Sequence, residues 1–193
     1  MSLVHRGSWA FEMVAVALAG SSALSCGDDE PARDQAVLWL QLGTALGQTC
    51  SSAQTFNLPD STARETIRGS SGVGERLVDG SDGSFVTCTV SEAAGGQFNL
   101  RFELSSGAIG NFDLRGAIAN GQGTFDLSFN TTSFALTQEG CTGTIRQAIA
   151  GAVWISDLNC PNLVDPSSPG VACTGSGGLI AENCARPQAS SDR

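Results

Sequence analysis

Lysine and tyrosine are absent from this chain of 193 residues, and its single histidine is His5. His5 lies in an N-terminal segment that we expect to be removed on export, so the mature chain would contain no histidine. Without histidine or lysine, a protein cannot use Ser-His or Cys-His catalysis, a His-ligated metal, a lysine Schiff base or a phosphate-binding lysine loop. The composition therefore predicts a protein that is not an enzyme and needs no cofactor.

Basic charge is also scarce, because ten arginines stand against 19 acidic residues and give a net charge of −9. The arginines are scattered along the chain, whereas nucleic-acid binding requires a clustered basic surface. The sequence therefore predicts no nucleic-acid partner. The 24 glycines, with frequent Ser and Thr between short apolar runs, favour short strands and turns over long helices.

The N-terminus has the composition of an export signal. Arg6 precedes an apolar run over residues 13–24, which is too short to span a bilayer and is followed by small residues. The segment Ala23-Leu24-Ser25-Cys26 resembles the junction of a bacterial lipoprotein signal, in which the cysteine carries the lipid. Two alternatives remain open at this point: secretion after cleavage near Ala19 or Ala23, and a retained helical anchor.

The leading prediction from the N-terminus has three parts. Residues 1–25 form a signal peptide with a signal helix, Cys26 is lipidated, and residues 26–34 form an acidic tether. The protein would then be exported and held on a bacterial envelope membrane, at the outer membrane or the cell surface. Without the lipid it would be periplasmic or secreted.

Seven cysteines are an odd number, which in an exported protein leaves one sulfur to explain. Lipidation of Cys26 would leave six for disulfides in an oxidising compartment, namely Cys50, Cys88, Cys141, Cys160, Cys173 and Cys184. A metal site is not expected, because the chain has no C-x2-C pair and no available histidine. The register of a predicted hairpin, described below, pairs Cys141 with Cys160, and proximity along the chain suggests Cys50 with Cys88 and Cys173 with Cys184.

An internal repeat indicates a β-meander. The pattern G-x-F-[ND]-L-[RS]-[FG] occurs three times, starting at Gly96, Gly110 and Gly123. In each copy, alternation places Phe and Leu on one face and polar residues on the other, as a half-buried antiparallel sheet requires. A type I′ turn at Asn120-Gly121 would fix the register, with Leu114 opposite Leu127, Phe112 opposite Phe129, and Arg115 opposite Asp126 as an ion pair.

A second hairpin is predicted around Ala150-Gly151. Pairing about this midpoint sets Cys141 opposite Cys160 and places on one face Cys141, Ile145, Ile149, Ala152, Trp154, Leu158 and Cys160. The segment Gln35 to Gly47 is predicted as a short helix, with a first strand as the alternative. Residues 161–169 are predicted as a loop, and residues 186–193 as a disordered tail.

Three sets of residues are candidate sites. Asp79 and Asp82 could bind calcium, although the loop lacks the D-x-D-x-D-G order and is better explained as a turn. The charged residues Arg101, Asp113, Arg115 and Asp126 could form a binding strip, although cross-strand pairs on a solvated face explain them more simply. The carboxylates available for glycoside cleavage are Glu103, Asp113, Asp126 and Glu139.

The chain resembles predicted cysteine-bearing lipoproteins of myxobacterial-type envelopes. The likeness is carried by the ALSCGDD junction, the V-x-C-x-V strand at Val86 to Val90, and the G-x-x-W-x-x-x-x-x-C segment from Gly151 to Cys160. It is also similar to the small mycobacterial lipoprotein antigens, which are Gly-rich β domains on a lipid tether. Neither group implies an activity, so the resemblance bears on location and fold.

The sequence as a whole predicts one domain over residues 35–185, an antiparallel β-sandwich or open barrel of about eight strands stapled by disulfides. Its expected function is a non-catalytic surface or periplasmic binding or structural module that contacts envelope protein or glycan. One alternative is a carrier that encloses a lipid or small apolar ligand among Phe98, Phe112, Phe125 and Trp154. The second is a carboxylate-dependent glycan hydrolase. The sequence does not specify an oligomeric state.

Overall fold

The computed structural model describes residues 33–45, 50, 53–58, 77–81, 83–107 and 109–185. The predicted signal peptide, Cys26, most of the tether, Asp82 and the tail lie outside these residues. Ten strands are present: β1 Gln35–Thr44, β2 Thr55–Leu58, β3 Leu77–Val78, β4 Phe85–Ala93, β5 Gln97–Ser106, β6 Gly110–Ala119, β7 Gln122–Asn130, β8 Ala135–Ile149, β9 Ala152–Asp165 and β10 Ser168–Glu182. The part of the chain that the structure describes contains no helix able to cross a membrane.

All ten strands belong to one antiparallel sheet. Its order is β2-β1-β10-β9-β8-β7-β6-β5-β4, and β3 pairs with the start of β1. The sheet curls into a half-barrel whose concave face holds the core, with Phe102, Phe112, Phe125 and Phe129 each no more than 1% exposed. The all-β antiparallel prediction is confirmed, with a single curled sheet in place of two stacked layers.

The predicted meander is confirmed in strands β5, β6 and β7. Asn120 and Gly121 have φ values of 53° and 75°, the positive values that a type I′ turn requires at both positions. This turn sets the register that the sequence predicted, with opposed pairs Leu114 and Leu127, Phe112 and Phe129, and Arg115 and Asp126. The core face of the meander follows directly from that one turn.

Strand β1 corrects the prediction of a helix over Gln35 to Gly47. Its inward residues are Ala36, Leu38, Leu40 and Leu42, all buried in the main core. Its outward residues Val37 and Trp39 join Ile180 and Trp154 in a second apolar cluster on the convex face. The alternation of a strand is hidden in the sequence because both faces of β1 carry apolar side chains.

The hairpin of β8 and β9 has the predicted pairing near its cysteines, but it departs from simple alternation. The register shifts at Arg146 and Ser156 leave one extra residue on each strand, and Arg146 Nε donates a hydrogen bond to Ser156 Oγ at 3.2 Å. These bulges turn Val153 and Ile155 inward and Trp154 outward, so the predicted inward position of Trp154 is wrong. A bulge shifts the alternation of all residues beyond it.

The predicted loop over residues 161–169 is also wrong for most of its length. Strand β9 continues to Asp165 and β10 begins at Ser168, leaving a short turn between them. The prolines that suggested a loop are tolerated here: Pro161 is exposed on β9 and Pro166 lies in the turn.

Two of the three predicted disulfide pairings are wrong. The structure joins Cys50 to Cys173 and Cys88 to Cys184, and only Cys141–Cys160 is as predicted. Pairing by proximity along the chain failed because the whole of β1 pairs with the second part of β10, from Cys173 to Glu182. This arrangement brings Cys173 and Cys184 beside the two cysteines that come first among these six in the chain, Cys50 and Cys88.

Strand β4 ends the sheet, and both ends of the domain supply hydrogen-bonding groups to its outer edge. The backbone N–H groups of Val86 and Cys88 donate to carboxylate oxygens of Asp79 and Asp34, at 3.0 and 2.7 Å. The carbonyl of Cys88 accepts a hydrogen bond from the Ala185 N–H at 2.9 Å. Because a free strand edge is a template for pairing with another chain, these contacts protect β4.

Asp34 should make stability depend on pH in the acidic range. Burial raises its pKa, and the neighbouring Asp79 charge acts in the same direction, while the hydrogen bond from Cys88 opposes them. Between the ordinary value of 3.8 and the raised pKa, the folded state binds more protons than the unfolded state, so stability falls as pH rises through that window. Asp34→Asn keeps an acceptor for Cys88 and cannot ionise, so it should be more stable than the wild type at neutral pH.

Urea unfolding of the wild type, Asp34→Asn and Asp34→Ala between pH 3 and 7 checks this expectation. The Asn variant should converge with the wild type below pH 3.8. The Ala variant leaves the Cys88 N–H without its acceptor and should lose about 1–3 kcal/mol. A wild type that gains stability relative to Asp34→Asn as pH rises would contradict the assignment.

Candidate functional site

The half-barrel opens at the end where β5 leads into β6 and β7 leads into β8. A cavity of about 670 Å³ lies there, bordered by these two connections and by strand β2. We call it the mouth cleft. Its lining residues are Ala53, Gln54, Phe56, Ser105, Ser106, Gly107, Ile109, Gly110, Asn111, Thr131, Thr132, Ser133 and Phe134.

Aromatic side chains form the apolar part of the mouth cleft. Strand β2 is an edge strand of the curled sheet, and its Phe56 ring meets the buried Phe129 ring of β7 edge to face, with centroids 4.8 Å apart. Phe134, just before β8, meets Phe129 in the same manner at 5.6 Å. Phe56 and Phe134 are only partly buried, so each presents apolar surface to the cleft.

Hydroxyl and amide groups form the rest of the lining. The Thr131 hydroxyl accepts hydrogen bonds from the N–H groups of Ser133 and Phe134, each at 3.1 Å, which fixes the loop between β7 and β8. Ser105 and Asn111 lie opposite each other at the ends of β5 and β6 and are exposed. None of the described residues that line the cleft is charged, so its polar groups are suited to a neutral ligand.

The charged strip predicted from the sequence lies on the convex face of the meander. Arg115 bonds to Asp113 at 2.7 Å and to Glu103 at 3.1 Å, and Arg101 bonds to Glu103 at 2.6 Å. The predicted ion pair of Arg115 with Asp126 does not form. Although the two residues are opposed, Asp113 on its own strand holds the guanidinium, and Asp126 accepts the Gly140 N–H at 3.2 Å.

Glu103 is poorly suited to act as the general acid of glycoside cleavage. The hydrogen bond from Arg101 is the main cause that lowers the pKa of Glu103, and the charges of Arg101 and Arg115 act in the same direction. A general acid needs the opposite change, since it must hold a proton near neutral pH. Asp113, Asp126 and Glu139 line a surface depression of about 570 Å³, which Arg115 shares.

Asp79, one of the two residues of the predicted calcium site, has a structural role. Asp79 lies in the turn after β3, and its carboxylate accepts the Val86 N–H. Among the described residues there is no group of three or more His, Cys, Asp or Glu side chains placed to hold a metal ion. Asp82 lies outside the described residues.

The four residues of the predicted apolar carrier site do not surround one cavity. Phe112 and Phe125 lie in the packed interior with 1% and 0% exposure. Phe98 packs on the same core, whereas Trp154 belongs to the cluster on the convex face. The concave face is therefore filled by side chains at the positions where the carrier hypothesis needs space.

Sequence reasoning missed the mouth cleft. Its residues come from the start of β2, the β5–β6 connection and the β7–β8 loop, and no pattern in the sequence relates these three segments to one another. Comparison of the chain with protein-family models, with curated proteins and with solved structures found no match.

Proposed function

We propose that the chain is a non-catalytic envelope lipoprotein that binds an envelope component in the mouth cleft. The observation that carries this proposal is the cleft itself, about 670 Å³ in volume, with partly exposed aromatic rings among uncharged hydroxyl and amide groups. Binding sites commonly combine apolar lining with a few polar groups that orient the ligand. The four residues named for the carrier do not share a cavity of this kind, and for the hydrolase the hydrogen bond from Arg101 lowers the pKa of Glu103.

An extracytoplasmic location is supported by the disulfides. Three disulfides link cysteines that are all less than 10% exposed, with Cys50 the most exposed at 8%. Such bonds are typical of proteins that fold in an oxidising compartment. The lipid anchor at Cys26 is the part of the proposal that comes from the signal-like sequence alone.

The path of the chain supports presentation of the cleft away from a membrane. Asp34 precedes β1, whose first residue lies opposite Glu182, while Thr55 beside the cleft lies opposite Gln41 near the other end of β1. The six residue steps from Gln35 to Gln41 span about 20 Å along β1. A lipid tether that ends at Asp34 would therefore join the half-barrel far from the mouth cleft.

Binding of the full chain to purified envelope fractions tests the proposal. The protein is expressed in an exporting bacterium, purified in a detergent without a sugar headgroup, and sedimented with peptidoglycan sacculi, envelope polysaccharide or envelope protein. Asn111→Ala should raise the Kd for the envelope component about tenfold, which corresponds to a loss of about 1.4 kcal/mol. The intact mass of the same preparation should show a chain that begins at Cys26 and carries lipid.

Asn159→Ala is the matched control, since Asn159 is an exposed asparagine on β9 that does not line the cleft. It should bind as the wild type does. Equal binding by Asn111→Ala and the wild type to every fraction would contradict a role for the cleft. A purified chain that begins at Cys26 without a lipid increment would contradict the anchor.

A further inference from the structure

Phe85 is an aromatic side chain that the fold leaves in solvent. It begins β4 and is 68% exposed, the highest value among the large apolar side chains that the structure describes. A single exposed apolar residue is common on soluble proteins, so exposure alone assigns no role. Phe85 is distinguished by its position relative to the mouth cleft.

Phe85 and the mouth cleft belong to one continuous surface. Phe85 lies opposite Ser105, which lies opposite Asn111, which in turn lies opposite Asn130. Ser105 and Asn111 line the mouth cleft and also line a groove of about 320 Å³ that begins at Phe85. The row crosses four strands, or three interstrand spacings, which amounts to about 14 Å.

The charge of this surface is balanced. Glu103 and Asp113 are the acidic residues of the groove, and both are bonded to arginines of the convex face, Arg101 and Arg115. The two positive charges offset the two negative ones, and the chain as a whole carries −9. An anionic ligand would meet no unpaired basic group there, so the surface favours a neutral ligand.

We infer that the mouth cleft and Phe85 together bind a neutral oligosaccharide. Phe134 contacts one sugar, and Phe85 contacts a second sugar further along the oligosaccharide. A sugar ring offers hydroxyl groups to the amide of Asn111 and the hydroxyl of Ser105, which donate and accept hydrogen bonds. Its C–H face offers apolar surface to a phenyl ring. This inference rests on the proposed function, because it names the ligand class of the same cleft.

Oligosaccharide length provides the test. Neutral and acidic oligosaccharides of one to six sugars, released from bacterial envelope polysaccharide and peptidoglycan, are titrated by calorimetry against the full chain. Affinity should rise with length for the neutral series. Asn111→Ala should weaken binding about tenfold at every length, whereas Phe85→Ala should weaken only the longer oligosaccharides by that factor.

Ile149→Ala is the control for Phe85→Ala, since Ile149 is the other strongly exposed large apolar residue, at 50%, and lies at the β8–β9 turn. It should leave every affinity unchanged. Thermal unfolding of each variant confirms that the comparison is between folded chains. Phe85 and Asn111 are exposed, so their truncation should not disturb the core.

The outcomes separate this inference from the proposed function. The chain could bind no neutral oligosaccharide and still bind an envelope protein fraction in a way that depends on Asn111. This result would overturn the assignment of a saccharide ligand and leave the mouth cleft as the binding site. Tighter binding of the acidic series would overturn the assignment of a neutral ligand. Equal weakening of short and long oligosaccharides by Phe85→Ala would overturn the second contact. Envelope binding that is insensitive to Asn111→Ala would remove both proposals.

Discussion

Replacement of Cys88 and Cys184 together by alanine is expected to lower the free energy of unfolding by about 4–5 kcal/mol. The bond joins residues 96 positions apart, and a closed loop of about 100 residues removes roughly 4.7 kcal/mol of unfolded-state entropy at 25 °C. It also fixes the segment after β10 beside β4, where Ala185 donates to the Cys88 carbonyl. Urea unfolding under non-oxidising, non-reducing conditions measures the loss.

The Cys141→Ala/Cys160→Ala chain is the matched comparison. These cysteines are also buried, but they are only 19 positions apart and face each other within one hairpin. Their removal should cost about 3 kcal/mol by the same relation. A loss as large as that of the long-range bond would show that loop length does not set the contribution of these disulfides.

Phe125→Ala should lower the free energy of unfolding by about 3–5 kcal/mol, the usual cost of truncating a buried aromatic residue. Phe125 is fully buried, and its ring fills space left by glycines on three adjacent strands, Gly116, Gly123 and Gly143. A glycine has no side chain that can move into the vacated volume. The cavity should therefore persist, and the loss should lie at the upper end of this range.

Two further variants test the cause of this loss by urea unfolding. A Cβ atom at Gly143 would lie 2.8 Å from Phe125 Cε2, so Gly143→Ala should destabilise the wild type and be tolerated better in the Phe125→Ala chain. Phe85→Ala, which truncates an exposed phenylalanine, should change stability by less than about 0.5 kcal/mol. If the effects of Gly143→Ala and Phe125→Ala on the free energy of unfolding were strictly additive, this would contradict the packing of the Phe125 ring against Gly143.

The meander could be predicted from the sequence because its signals are local. The Asn120-Gly121 turn requires a particular backbone conformation at two adjacent residues, and it fixes the pairing of β6 with β7 from Asn111 to Asn130. Phe112 and Leu114 therefore appear on the core face without knowledge of any other strand. The same reasoning set Cys141 opposite Cys160.

The remaining features depend on contacts that no local pattern records. The bulges at Arg146 and Ser156 turn Trp154 outward, and neither residue differs in type from ordinary strand residues. The mouth cleft depends on the curl of the sheet, which brings Phe56 of the edge strand β2 against Phe129 of β7. Both features are set by long-range packing, which composition and alternation do not contain.

The long-range disulfides would impose an order of events on the export that we propose. A chain that crosses the membrane from its N-terminus delivers Cys50 and Cys88 to the oxidising side first, while Cys173 and Cys184 are still to come. A bond formed between Cys50 and Cys88 at that point would be non-native, and it would have to be exchanged by attack of a later thiolate. An exported chain that forms this bond would therefore need disulfide isomerisation as well as oxidation.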